Sequence, residues 1–176
     1  MTQNQKLLLW VKISYSAFIA VMVPTYRHEY GPTNFLYFCD ASAFLTFAAL
    51  WAESPLLASI AAVGIILPQL VWVLDFGVHF FGVKITGMSD YVFDPQIPLF
   101  ARGISLFHGW LPFLLLYAVW RLGYKGRGLA IWVGLAWVLM PIFYFWMPSP
   151  GKARANPKQS VNINDAFGFS DQAPQS

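Results

Sequence analysis

The chain has 176 residues, of which 57% are hydrophobic, 18% are aromatic and only 11% are charged, and its formal net charge is +3. A soluble domain carries about 25% charged residues, so these few charges could not cover a water-facing surface. The composition excludes a soluble globular protein, and no basic stripe or motif typical of nucleic-acid binding is present. We predict an all-α, polytopic integral membrane protein whose helices form one bundle.

Hydropathy predicts about five transmembrane helices of roughly 17–22 residues each, the length that a bilayer core requires. Segments containing Gly and Pro separate these helices, and tryptophans lie close to their ends, as is typical of the membrane interface. An odd number of spans places the two termini on opposite sides of the membrane, which we call side A (N-terminus) and side B (C-terminus). The predicted spans are residues 7–23, 33–52, 56–74, 99–120 and 129–147.

Two segments outside these spans carry further signals. The connection of residues 75–98 is too long for a turn, and "DFGVHFFGVKI" at its start predicts a short helix in the membrane interface. Residues 148–176 are rich in Pro, Ser, Gln and Asn, which predicts a polar and mostly disordered tail. Within this tail, "VNINDAFGF" alternates apolar residues and contains two Phe. We therefore expect residues 161–169 to dock on the side B end of the bundle.

The second predicted span carries Cys39 and Asp40 side by side. Cys39 lies about six residues from the side B end of the span, or roughly 9 Å deep. A carboxylate inside a span costs about 2.5–3.5 kcal/mol on insertion scales, so Asp40 needs a compensating partner. Arg102 of the fourth span is one candidate. The alternative is that Arg102 extends to the lipid headgroups while Asp40 forms local hydrogen bonds.

The fourth predicted span carries His108, about nine residues and roughly 13 Å from its side B end. A histidine inside a span is rare and usually faces the interior of the bundle. Arg102 and Ser105 lie on about the same helix face, and Tyr15 and Gln69 of other spans lie in the same half of the bilayer. Since the other half is almost purely apolar, this pattern predicts a cavity that opens toward side B.

Cys39, His108 and Asp40 have the residue types of a nucleophile, a base and an orienting acid. A thiolate is a strong nucleophile, and an imidazole within hydrogen-bond reach can take the proton from the thiol. The alternative for Cys39 is a small hydrophobic residue without chemistry. Polar donors are needed to stabilise the oxyanion of acyl transfer. The candidate substrate-binding residues are Asn34, Arg102, Ser105, Gln69 and Tyr15.

The segments "FCDASAF" and "LFHG" resemble the YwaF-like family of integral membrane proteins over about residues 34–112. In that family the second span carries a Leu-Cys-Asp element and a later span carries a histidine. Related vertebrate transmembrane acyltransferases are thought to move fatty acyl groups between phospholipids through a cysteine thioester. The resemblance implies that Cys39 is the acyl-accepting nucleophile and that His108 is its base.

We therefore expect a membrane-embedded lipid acyl hydrolase or acyltransferase of the bacterial inner membrane, with membrane lipids as its partners. The residues match no standard pattern of metal ligands, so neither a metal nor another cofactor is predicted. One alternative is an accessory or structural subunit that binds a membrane-protein partner. Another is a carrier of a small solute or of protons, with its site at Asp40, Gln69 and His108, although no inverted repeat is evident. The positive charge of residues 121–127 favours a cytoplasmic side A.

Overall fold

The computed structural model describes residues 7–147, Ser149 and residues 162–167. Within these ranges every regular element is a helix and no strand is present, so the prediction of an all-α fold is confirmed. The elements in chain order are α1 (Leu9–Glu29), a 3₁₀ helix (Pro32–Leu36), α2 (Phe38–Ala52), α3 (Pro55–His79), α4 (Asp90–Phe93), α5 (Leu99–Ser105), α6 (Phe107–Leu122), α7 (Arg127–Trp146) and a second 3₁₀ helix (Ile163–Asp165).

Four helical segments of the described chain are long and apolar enough to cross a membrane, namely α1, α3, α5 together with α6, and α7. By contrast, α2 has only 15 residues. It is therefore about 22 Å long, which is shorter than a hydrocarbon core of about 30 Å. The 3₁₀ helix Pro32–Leu36 directly precedes α2 and lengthens this part of the chain. The protein is thus a multi-pass membrane protein with four spanning helical segments and one shorter apolar helix.

Two helices extend beyond their predicted ends. Helix α1 continues through Pro24 to Glu29. A proline is tolerated inside a transmembrane helix because neighbouring helices and local adjustments satisfy the freed backbone groups. Helix α3 continues past Leu74, the last residue of the predicted span, to His79. The first part of the predicted interfacial helix is instead a continuation of α3.

The fourth predicted span is interrupted at Leu106, between α5 and α6. The ring Nδ1 of His108 lies 2.7 Å from the carbonyl oxygen of Ser105. The amide of Gly109 donates to the carbonyl of Leu106 at 2.9 Å. In a continuous α-helix this amide would bond to Ser105, four residues earlier. The side chain of His108 has therefore replaced a backbone donor, which explains why this span consists of two helices.

Helix α3 is the central helix of the bundle and packs against α2, α6 and α7, while α1 packs against α2. Small residues on α3, including Ala58, Ala61 and Ala62, are buried in these contacts. Small residues let transmembrane helices approach closely. Helix α7 lies at the periphery, because only 17% of its apolar stretch is buried inside the bundle, compared with 50% for α3. Its outer face is thus available to lipid.

Polar contacts fix the side A end of the bundle. The Nζ of Lys12, near the start of α1, lies 2.6 Å from the Oε1 of Glu53, which follows α2. The backbone amide of Lys125, in the loop before α7, donates to the hydroxyl of Ser59 near the start of α3 at 2.9 Å. The start of α1 and the α6–α7 loop thus each contact the region where α2 ends and α3 begins. The start of α1 and the α6–α7 loop thus lie at the same end of the bundle, as the prediction for side A requires.

Candidate functional site

Four buried polar side chains, which we call the side B cluster, lie at the end of the bundle opposite Lys12 and Glu53. The cluster consists of Tyr26, Asn34, Asp40 and Ser105. The Nδ2 of Asn34 donates to the Oδ2 of Asp40 at 2.7 Å, and the hydroxyls of Tyr26 and Ser105 are 2.7 Å apart. The exposed fractions are 8% for Asn34 and 3% or less for the other three. The structure therefore shows four buried polar side chains that form two hydrogen-bonded pairs at this end of the bundle.

Tyr30, directly after α1, packs against Tyr26 of the cluster. Its ring lies edge-on to Tyr26 with the ring centroids 5.3 Å apart. Desolvation is the main cause that raises the pKa of Tyr30 to about 12, and the carboxylates of Glu29 and Asp40 add to this rise. The guanidinium of Arg102 acts in the opposite direction. Tyr30 is therefore neutral at physiological pH and lies within electrostatic range of both Asp40 and Arg102.

The structure resolves the two alternatives for Asp40 and Arg102. No ion pair joins them in the described part of the chain. The Oδ2 of Asp40 accepts a hydrogen bond from Asn34, while the Nη1 of Arg102 donates to the backbone carbonyl of Val92 at 3.1 Å. The 3₁₀ helix brings Asn34 next to the first turn of α2, so an amide donor is available locally. Asp40 thus forms a local hydrogen bond, and Arg102 binds the connecting loop.

Cys39 is a free, half-buried cysteine in the first turn of α2. No hydrogen bond joins Cys39 to His108 within the described residues. The ring of His108 stacks on Trp72 of α3, with centroids 4.8 Å apart, and contacts Phe107 at 4.1 Å. Because a carbonyl oxygen can only accept, the Nδ1 of His108 carries the proton that it donates to Ser105, and in the neutral ring Nε2 has the lone pair. The backbone of Ser105 therefore fixes the orientation of this ring.

The remaining two candidate residues lie apart from these contacts. The hydroxyl of Tyr15 donates to the carbonyl of Ala43 at 2.9 Å, one turn along α2 from Asp40. Gln69 of α3 is 1% exposed. Neither of its amide atoms has a hydrogen-bond partner in the described part of the structure. A buried polar group without a partner costs about 1–3 kcal/mol, so Gln69 is a position at which a polar ligand would be stabilised.

Sequence analysis missed Tyr91, which lies in α4 within the 75–98 connection. Desolvation raises the pKa of Tyr91, and nearby Cys39, Tyr30 and Asp40 raise it further, whereas the hydroxyl of Ser105 lowers it. Tyr91 therefore lies close to both the side B cluster and Cys39. A four-residue helix in a loop has no periodic hydrophobic pattern, so the sequence offers no signal for this contact.

The C-terminal segment docks beside Cys39. The Oδ1 of Asn164 accepts from the amide of Phe38 at 2.6 Å, and its Nδ2 donates to the carbonyl of Leu36 at 3.0 Å. Ile163 is fully buried, and the ring of Phe167 stacks on Tyr144 with centroids 4.9 Å apart. The predicted docking is confirmed for residues 162–167. The predicted disorder of the tail concerns residues that, apart from Ser149, lie outside the described ranges.

The described side chains include no group of three or more His, Cys, Asp or Glu that could hold a metal ion. No family model, curated protein or solved structure matches this chain. The resemblance to the YwaF-like family therefore stays a prediction. Fold and site together define a multi-pass α-helical membrane protein with a buried polar cluster at one end of its bundle.

Proposed function

We propose that the protein transfers or hydrolyses acyl groups of membrane lipids, with Cys39 as the nucleophile and His108 as the base. The orientation of His108 is the observation that carries this proposal. Its Nδ1 donates to the carbonyl of Ser105, so the neutral ring presents the lone pair of Nε2. A neutral imidazole held by its other nitrogen is the state that general-base catalysis requires.

In this mechanism Nε2 of His108 takes the proton from the thiol of Cys39, and the sulfur attacks the carbonyl carbon of a lipid ester. The tetrahedral intermediate then expels the alcohol, which receives the proton back from His108. The acyl group stays on Cys39 as a thioester until water or a second lipid hydroxyl attacks it and restores the thiol. The first step requires Nε2 within hydrogen-bond reach of the sulfur, a contact that in many enzymes forms only in the substrate complex.

We propose Arg102 as the donor for the developing oxyanion. Its Nη1 is held by Val92, while its buried Nε has no hydrogen-bond partner among the described residues. A preorganised donor in a dry site stabilises the transition state without reorganisation. Asn34 is less suitable because its Nδ2 already donates to Asp40. We therefore assign ester binding to Arg102 and the support of Asp40 to Asn34.

Turnover of a phospholipid with a fluorescent acyl chain, in liposomes containing the purified protein, tests this proposal. We expect Cys39→Ser and His108→Ala to lower the rate of acyl release or transfer by about 100-fold or more, since a general base contributes about 10²–10⁴. His28→Ala is the matched control, because the His28 side chain is 84% exposed at the end of α1. Equal turnover by the parent, Cys39→Ala and His108→Ala would rule the proposal out.

A second candidate, a carrier of protons or of a small solute, is favoured by a different observation. The Oδ1 of Asp40 and both amide atoms of Gln69 are buried without hydrogen-bond partners in the described structure. Ionisable groups inside a bundle often mark a transport path. In liposomes containing a pH-sensitive dye, a carrier would lose flux on Asp40→Asn and keep it on Cys39→Ala. The acyl-transfer proposal predicts no flux in either case.

A further inference from the structure

Asp75 organises the loop between α3 and α4. Its carboxylate is 1% exposed and accepts five hydrogen bonds from residues 85–89. The Oδ1 atom accepts from the amides of Ile85, Thr86 and Gly87 at 3.0, 2.8 and 3.3 Å, and Oδ2 accepts from the amide and hydroxyl of Ser89 at 3.0 and 2.7 Å. Hydrogen bonds to a carboxylate are stronger than neutral ones. The loop is therefore held firmly to the end of α3.

The loop leads directly into α4, and α4 is held to α5. The amide of Val92 donates to the carbonyl of Ser89 at 3.0 Å. The carbonyl of Val92 in turn accepts from the Nη1 of Arg102 at 3.1 Å. Arg102 lies about one turn of α5 before Ser105, a member of the side B cluster. Hydrogen bonds and short backbone segments thus connect Asp75 on α3 to the cluster on α5.

Tyr91 lies between the two ends of this connection, flanked by Asp90 and Val92. We propose that Asp75 is a positioning residue, which fixes residues 85–89, holds α4 against α5 and so keeps Tyr91 close to the side B cluster and to Cys39. In this arrangement the access of a reagent from side B to the thiol of Cys39 on α2 depends on the carboxylate of Asp75 on α3. The inference concerns access to the thiol and does not require acyl transfer.

Alkylation of Cys39 by N-ethylmaleimide measures this access directly, because Cys39 is the only cysteine in the sequence. We expect Asp75→Asn to raise the labelling rate of the purified full chain in detergent micelles by about ten-fold. Asn keeps one acceptor oxygen, but it carries no charge and places an NH2 donor against the backbone amide of Ser89. Tyr91→Ala should raise the labelling rate by a similar factor. The double variant should label no faster than Tyr91→Ala alone, because Asp75 acts through Tyr91.

Asp94→Asn is the matched control, since Asp94 lies in the same connection and its Oδ1 accepts from the amide of Gln96 at 2.8 Å. Its labelling rate should equal that of the parent. A purely structural role for Asp75 would lower the melting temperature without this dependence on Tyr91. The proposal would be overturned if the effects of Asp75→Asn and Tyr91→Ala on the labelling rate multiplied in the double variant. It would also be overturned if a folded Asp75→Asn variant were labelled at the rate of the parent.

Should Asp75→Asn fail to fold, Ser89→Ala provides the second variant, because it removes only the hydroxyl bond to Oδ2. We expect a smaller but measurable increase in the labelling rate of Cys39 for this variant, and a rate equal to that of the parent would contradict the proposal. Phospholipid turnover is measured in a separate assay. Failure of the positioning role and failure of the acyl-transfer proposal are therefore distinguishable.

Discussion

Asp40 has one carboxylate oxygen bonded to Asn34 and the other without a hydrogen-bond partner in the described structure. We predict that Asn34→Ala lowers the free energy of unfolding by about 1–3 kcal/mol, because it leaves a buried carboxylate unsatisfied. Replacing both residues with Ala should cost less than the sum of the two single changes. Unfolding in detergent micelles measures these values, and strictly additive effects would show that the two side chains are not coupled.

The sequence was sufficient to predict that Asp40 and Ser105 lie at the same end of the bundle. Asp40 and Ser105, which were predicted to lie in the same half of the bilayer, are both buried at the side B end. The choice of partners was not predictable. Asn34 reaches Asp40 because a 3₁₀ helix precedes α2, and Arg102 binds Val92 because α4 lies beside α5. Both contacts depend on irregular segments, whose conformation leaves no periodic signal in the sequence.

At the scale of the elements, α7 depends on close contact with α3. A Cβ added to Gly128 would lie 2.8 Å from the Cβ of Ser59 and 3.0 Å from the backbone nitrogen of Ile60. A Cβ added to Gly64 would overlap the ring of Trp132 on α7. Small residues at such contacts allow helix backbones to approach in a membrane. These two glycines therefore set the distance between α3 and α7.

We predict that Gly128→Ala lowers the free energy of unfolding by about 1–3 kcal/mol, because overpacking forces the two helices apart. Gly134→Ala is the matched control on the same helix, since a Cβ there would meet no atom within 4 Å. Thermal unfolding of both variants in the same detergent provides the comparison. Equal melting temperatures for the two variants would contradict the close packing of α3 and α7.

The helix ends illustrate the limits of hydropathy. Hydropathy placed the end of the third span at Leu74, yet α3 continues to His79. Asp75 remains helical because backbone and side-chain donors of residues 85–89 satisfy its carboxylate. By contrast, the apolar alternation and two aromatic residues of "VNINDAFGF" were sufficient to predict docking. The clamp that Asn164 forms on Leu36 and Phe38 was not predictable.

At the scale of the whole molecule, the order in which the helices cross the membrane places the α6–α7 loop and the α3–α4 loop at opposite ends of the bundle. We predict that cysteines replacing Tyr124 and Val83, each more than half exposed, are labelled from opposite sides of the membrane. In a Cys39→Ser background, an impermeant maleimide should label Val83→Cys in intact cells. It should label Tyr124→Cys only after lysis, as a cytoplasmic side A requires. Labelling of both positions from the same side would contradict this topology.

A covalent intermediate is the direct consequence of Cys39 acting as the nucleophile. After incubation with a phospholipid and quenching in acid, the intact mass of the parent protein should increase by one acyl group located on Cys39. Hydroxylamine should remove this group, because it cleaves thioesters. His108→Ala should form the adduct about 100-fold or more slowly. Phospholipid turnover without any acyl adduct on the parent, or an equal adduct on Cys39→Ala, would contradict the proposed chemistry.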